Sequence, residues 1–590
     1  MKKQKNFRRF ALTAGVASAL AMSIVPIYAE GDNPPAMPGG QDSSNGQGGP
    51  GGAPGNPPSG GMGGGADTQS YDYSGTLNGA LSADGKEVSS TGETIEAAES
   101  DQNVLLSNNG GTLNVENAQL NKSGSDDNGD NCNFYGINSI SLTVGEGSQT
   151  NISNSTLKAD SSGSNGIFAT DSGTAYAEND VIETSADNSR GLDATYDGTI
   201  IADKLQINTA GDHSAAIATD RGGGNISVTN STLNTAGSGS PLLYSTGNIQ
   251  VDNVTGEASG SQIAGMEGLN RILIYNSTLS STMTQATASD PIADGVIIYQ
   301  STSGDAETST DETAVFNVSN STLKSAIESG SMFYVTNTKA NIVLSNTTLD
   351  FDSSKANLLQ IEGNDSNNWG TAGSNGGTVT FTGLGETLTG NISVDTISSL
   401  DAYFLDGTTY TGTISIVTNS VNTNANDEPV SVSVDGTSKW VVTGDTTISN
   451  LHAAEGAEIV DSEGKTVTIV NNGKTVVQGD SSITVTVTGT YDTEVTTSDA
   501  NALSTDYIDR TDFDNTYSLS TTFGTNASGA VPTTAAATAS TTSEKADTEE
   551  TAEDTEKSDN TVTFVLIGCA AVIVIGGIAF LSHKKKAVKK

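Results

Sequence analysis

The chain has 590 residues, 34% of them hydrophobic and 5% aromatic, with 67 glycines and a formal charge of −43. So lean and acidic a composition argues against a large aromatic core, and a field of this sign repels nucleic-acid phosphates, so no nucleic-acid partner is expected. The two cysteines stand far apart, Cys569 within an apolar run, which excludes a disulfide framework.

Residues 1–29 read as a secretory signal: five basic residues in the first nine positions, an apolar stretch from Phe10, and Ile27-Tyr28-Ala29 before the expected cleavage. Residues 30–70 are a Gly/Pro/Asn/Ser linker, as in Gly48-Gly49-Pro50-Gly51-Gly52, with too little apolar content to build a core, and are expected to be disordered.

A repeat begins after residue 71 and runs through the body to 524. The tetrad Asn-Ser-Thr-Leu stands at 154–157, 230–233, 276–279 and 320–323, with Asn346-Thr347-Thr348-Leu349 as a variant. Leu157, Ile182, Ile207 and Leu233 follow one another at spacings of 25, 25 and 26. A second phase recurs in step, as in Gly166-Ile167-Phe168-Ala169-Thr170 and Ala216-Ile217-Ala218-Thr219. A third comprises alternating runs such as Ile226-Ser227-Val228 and Ile272-Leu273-Ile274. Three short strand-like runs with turns in about 25 residues describe one coil of an all-β, three-faced solenoid. A right-handed parallel β-helix of some 17 coils, roughly 80 Å long, is expected, with the tetrad leucines pointing inward. Residues 71–377 form its main part. From 378 to 524 the runs come closer together, and 480–524 form either a final cap or a small separate β unit.

Several stretches carry a family resemblance: Asn133-Phe134-Tyr135-Gly136, Asn165-Gly166-Ile167-Phe168-Ala169-Thr170, Ile217 to Gly224, Met332 to Thr338 and Asn368 to Gly377. Over about 110–400 the chain resembles the β-helical, adhesin-like surface proteins of clostridial-type Gram-positive bacteria. Residues 439–451 are similar to passenger coils of autotransporter adhesins. The resemblance implies a β-helical fold and a cell-surface address, with adhesion as the associated role.

Residues 525–561 make a Thr/Ala-rich, then acidic, stalk that like charges keep extended. The 20 uncharged residues 562–581 are long enough, at about 1.5 Å per residue, to cross a bilayer of roughly 30 Å as a helix. The basic tail 582–590, with Lys584-Lys585-Lys586, sets that end inside. The expected topology is single-pass, with the N-terminal part extracellular and the lipid bilayer contacted through 562–581. No L-P-x-T-G sortase motif precedes the run.

The sequence offers few groups for chemistry. Asn154, Asn230, Asn276, Asn320 and Asn346, in the tetrads, are read as a structural ladder between coils rather than as glycosylation sites. Phe168, Asp193, Tyr244 and Tyr299 fall near one face and form a candidate ligand-binding stripe. Asp187, Asp212, His213 and Arg221 fall in adjacent coils, the composition that polysaccharide lyases and hydrolases on β-helices use for acid/base work. The Asn-Thr-Asp, Asp-Asp and Gly-His-Gly set of β-helical galacturonases is not present as a set. Asp126-Asp127-Asn128-Gly129-Asp130 is acidic enough to hold calcium but lacks EF-hand spacing, so no metal or other cofactor is assigned. Trp440 is read as core, and Cys132, among aspartates, as an unreactive thiol. The expectation is a non-enzymatic adhesin for host or bacterial surface glycans and proteins. A carbohydrate-active enzyme and a surface-layer component are the alternatives.

Overall fold

Each position of the Asn-Ser-Thr-Leu tetrad has its own place in a coil. The computed structural model describes residues 70–524 except 127–129, 303–305, 307–311, 366–368 and 423. Asparagine makes the corner. Asn154, Asn230, Asn276, Asn320 and Asn346 all have φ between 49° and 54°, the left-handed region where asparagine is better tolerated than most residues. Their amides interlock from coil to coil. Asn230 Nδ2 donates to Asp203 Oδ1 and Asn253 Nδ2 to Asn230 Oδ1, both at 2.6 Å, and Asn346 Nδ2 donates to Asn320 Oδ1 at 2.7 Å. Serine turns inward and closes a backbone account that the corner leaves open. The Leu205 N–H donates to Ser231 Oγ at 2.9 Å, and the Val254 N–H to Ser277 Oγ at 3.0 Å. Threonine faces out, and leucine enters the core. Leu157, Ile182, Ile207 and Leu233 stand directly above one another in parallel register, each fully buried.

Repeated along the chain, this corner yields three long parallel sheets visited in turn. The first has 13 strands, from Gly79–Asp84 to Ile414–Val417, and the second has 15, from Glu87–Thr91 to Tyr491–Asp492. The third has 10, from Thr94–Ala97 to Thr348–Asp350, and a separate four-stranded parallel sheet, Thr387–Thr389 to Glu458–Val460, serves the later coils. The fold is therefore nearly all β, a parallel β-solenoid. Its interior is one continuous apolar column from Ala83 to Val487. Trp440 is part of it, fully buried, with Nε1 donating to the Gly412 carbonyl at 3.0 Å.

Fifteen rungs in the second sheet at about 4.8 Å give a rod of roughly 70 Å. This is shorter than the repeat count suggests, because some successive rungs are far apart in sequence: Ile272 and Phe316 stand 44 residues apart, and Ile342 and Phe381 stand 39 apart. After 378 the coils are uneven: Phe381, Ala402, Val432 and Leu451 are successive rungs, 21, 30 and 19 residues apart.

The segment 480–524 has two parts. Its first residues complete a small mixed sheet of Thr446–Ile448, Thr468–Asn471, Lys474–Val477 and Thr484–Val487. Residues 493–524 then double back as a strap along the outside of the second sheet. Asn501 Nδ2 donates to Thr382 Oγ1 at 3.0 Å, the Ser504 N–H to Asn317 Oδ1 at 2.7 Å, and the Ile508 N–H to Gln250 Oε1 at 2.9 Å. Arg510 lies over Ser227, and Phe513 packs on Tyr176 and Ile201. Thr382, Val343, Asn317, Leu273, Gln250, Ser227, Ile201 and Tyr176 are one outward column of that sheet, so the strap reads it coil by coil. The reason is solvent exposure: Tyr176, Ile201 and Leu273 point away from the core, and burying them removes apolar area from water.

The expected signal, stalk, apolar run 562–581 and basic tail lie outside the described residues, as does the 30–70 linker apart from its last residue. No helix among the described residues is long and apolar enough to cross a membrane.

Candidate functional site

Phe168, Asp193 and Tyr244 stand in one outward column of the first sheet, and Tyr299 lies one outward position along from it. They do not form an open stripe. Phe168 is fully buried against Leu106, Ile137 and Leu142, because chain before and after the short helix Asp130–Phe134 folds over it. Asp193 is fully buried beside Arg190, whose Nη1 lies 3.2 Å from its carboxylate while Nη2 lies 2.9 Å from Asp220. Burial, together with the like charge of Asp220, holds the Asp193 carboxyl well above the usual range despite that guanidinium. Tyr244 is half-buried and donates through its hydroxyl to Glu267 at 3.0 Å. Tyr299 is covered by Trp369, stacked at 4.3 Å between ring centroids. Insertions thus roof the first sheet, which a reading of strand phase alone does not show.

Asp187, Asp212, His213 and Arg221 divide between two corners on opposite sides of the first sheet. Asp187 and Asp212 stand one coil apart in the turn entering it, and each carboxylate caps the next coil's backbone. The Asp212 N–H donates to Asp187 Oδ1 at 2.9 Å, and the Ser238 N–H to Asp212 Oδ1 at 2.8 Å. His213 occupies the same turn with φ of 55°, and burial lowers its pKa, with Arg190 adding to the shift. Arg221 lies in the turn leaving the sheet, its guanidinium 3.6 Å from the Phe134 ring centroid. Arg190, between these corners, meets the carboxylates of Asp193 and Asp220.

Asp126 and Asp130 flank residues 127–129, which lie outside the described set, so the calcium reading of that loop falls largely outside it too. Among the described residues no group of three or more His, Cys, Asp or Glu side chains is arranged to hold a metal ion. Cys132 is buried, and burial, with Asp126 close by, holds its thiol well above the usual range.

Insertions roof much of the first sheet and the strap covers one outward column of the second, whereas the third face keeps both of its outward columns open. Its outward positions are the neighbours of the buried leucines. One column carries Thr94, Thr156, Thr232, Thr255, Thr278, Thr322 and Thr348; the other runs Glu96, Asn121, Lys158, Glu183, Asn208, Asn234, Glu257, Ser280, Lys324 and Asp350. All are half-buried or exposed. Beside the second column a groove of about 710 Å3 extends from Asn121 to Glu257. Its polar groups are partly paired along the rod, with Lys158 2.8 Å from Glu183 and Asn234 Nδ2 donating to Asn208 Oδ1 at 2.9 Å. Lys122 lies at its back, its ammonium held by the Glu99 carbonyl at 3.0 Å and by that of Gly124, and burial brings its pKa down to about 8. Such a surface can hydrogen-bond an extended, hydroxyl-rich chain at one-coil intervals. These residues were findable from sequence, since a leucine that points inward obliges its neighbours to point outward. No family model matches the sequence, and no relative is found among curated proteins.

Proposed function

We propose that the chain is a cell-surface adhesin, a right-handed β-helical rod that binds surface glycans or glycoproteins of hosts or other bacteria along its third face. The single observation that carries this reading is that the third face keeps both of its outward columns open, predominantly polar and repeated coil after coil. Repetition at about 4.8 Å turns weak single contacts into avidity for a polymer. The charged, aromatic-poor groove suits a hydrophilic ligand. Attachment through 562–581, with the acidic stalk as spacer, would hold the rod away from the membrane. Right-handedness follows the general preference of parallel crossovers.

The test is retention of the full-length chain on an array of host and bacterial glycans and matrix proteins, beside the Asn208→Ala/Asn234→Ala double variant. Retention of the wild type that the double variant loses, without cleavage products, supports the adhesin. Cleavage of any arrayed glycan would replace it with the carbohydrate-active enzyme. A blank array with self-association of the chain would replace it with the surface-layer reading.

A further inference from the structure

Asp290 and Asp294 are the least compensated charged groups among the described residues. Asp294 opens the strand Asp294–Tyr299, opposite Ser331 of the next coil, and is fully buried. Asp290 stands four residues earlier, at the end of a turn in which its N–H donates to the Thr287 carbonyl at 2.9 Å. Both oxygens of Asp294 and Oδ2 of Asp290 are buried without a hydrogen-bond partner among the described residues. Neither carboxylate makes an ion pair there. Their surroundings are apolar and aromatic: Ile292, Ile297, Tyr299, Tyr334 and Trp369 form one cluster beside them. Burial pushes Asp290 up to about 7 and Asp294 well above its usual range, and the two like charges oppose one another. Asp187 and Asp212, by contrast, each accept a backbone amide, and the fully buried Asp193 lies against the Arg190 guanidinium.

The geometry points to a divalent-cation site of the calcium class at Asp290 and Asp294, in which three buried carboxylate oxygens face a bound ion. Calcium accepts six to eight oxygen ligands in irregular geometry, so two carboxylates completed by carbonyl and water oxygens suffice. Structural zinc, which takes four nitrogen or sulfur ligands, does not fit this pair. The site would fasten one foot of the 282–293 insertion. The other part of that insertion is already held where Thr287 Oγ1 donates to the Gly260 carbonyl at 2.7 Å. A cation here would thus set the position of Ile292, which packs in the cluster that holds Tyr299 and Trp369. This inference does not depend on the open third face or on adhesion.

Terbium stands in for calcium and is sensitised by nearby tryptophan. The full-length chain, freed of metal with chelator, is titrated with Tb3+ under tryptophan excitation, and its thermal unfolding is followed with calcium or with chelator. The expected result is saturable emission that calcium competes away, and an unfolding midpoint several degrees higher in calcium. Asp294→Asn should lose both responses while unfolding in chelator no earlier than wild type. Trp369→Phe should lose emission but keep the calcium response, which separates this site from general binding to an acidic surface. Equal midpoints for wild type in calcium and chelator would overturn the proposal, as would a calcium response that Asp294→Asn and Asp290→Asn both retain.

Discussion

The hydroxyl of Tyr517 donates to the carbonyl of Ile152 at 2.8 Å, joining positions 365 residues apart in sequence. Tyr517 ends the helix Thr511–Tyr517 at the far reach of the strap, so this bond marks how far the chain doubles back over its own coils. From there it returns, and Phe523 stacks on Tyr275 at 5.0 Å. The described chain therefore ends on the flank of the rod, several coils from the last rung.

Arg510 is the central fastening of that strap. Its guanidinium donates to the carbonyls of Ser227 and Ala202, to Ser227 Oγ, and to Thr229 and Thr521, at 2.8–3.0 Å. Arg510→Ala removes five hydrogen bonds made by one buried guanidinium, and should weaken strap docking by about 3 kcal/mol or more. Limited proteolysis should then cut within 493–524 well before the solenoid unfolds; an unchanged cleavage rate would contradict the assignment.

The core register makes a paired prediction. Leu233→Asp buries an unpaired charge between Ile207 and Gly256 and should destabilise the rod by several kcal/mol. Gly256→Leu restores the repeat's consensus residue and should nevertheless destabilise, by about 1–3 kcal/mol. Leu242 already fills that gap, with its Cδ1 2.8 Å from where a Cβ would stand. Denaturant midpoints of both variants against wild type decide the matter, and a more stable Gly256→Leu would show the register to be wrong there.

The corner asparagines can be tested against glycine. Asn230 has φ of 51°, so Asn230→Ala meets left-handed strain of about 1–2 kcal/mol and also loses the amide ladder. Asn230→Gly loses the ladder alone and should cost less. Equal losses in unfolding free energy would mean that backbone conformation is not what selects asparagine.

Glu386 sets a pH dependence. It is buried, its Oε1 accepts the Thr347 N–H at 2.7 Å, and burial pushes its carboxyl up to about 7. The folded chain binds this proton more tightly than the unfolded chain does. Stability from this group is therefore greatest below about pH 4.5 and is lost as pH rises through about 7. Glu386→Gln keeps the acceptor and removes the titration, so its unfolding midpoint should fall less than that of wild type between pH 5 and pH 8. Parallel pH profiles would exclude Glu386 as a source.

The inward stack at Leu157, Ile182, Ile207 and Leu233, the three-phase coil and the asparagine corners were all legible in the sequence. The reason is local. A side-chain period of two, punctuated every 25 residues or so, decides which atoms enter the core before any distant contact forms. The open columns of the third face follow from the same alternation. Which faces stay open was decided by tertiary structure alone. Phe168 and Tyr299 have the phase of exposed residues and are covered by chain from other coils, and Tyr176 and Ile201 are covered by Phe513 more than 300 positions later. Local periodicity specifies the coil; only the folded rod brings the insertions and the strap onto its outer surfaces, where burial of outward apolar side chains offsets the entropy of ordering them.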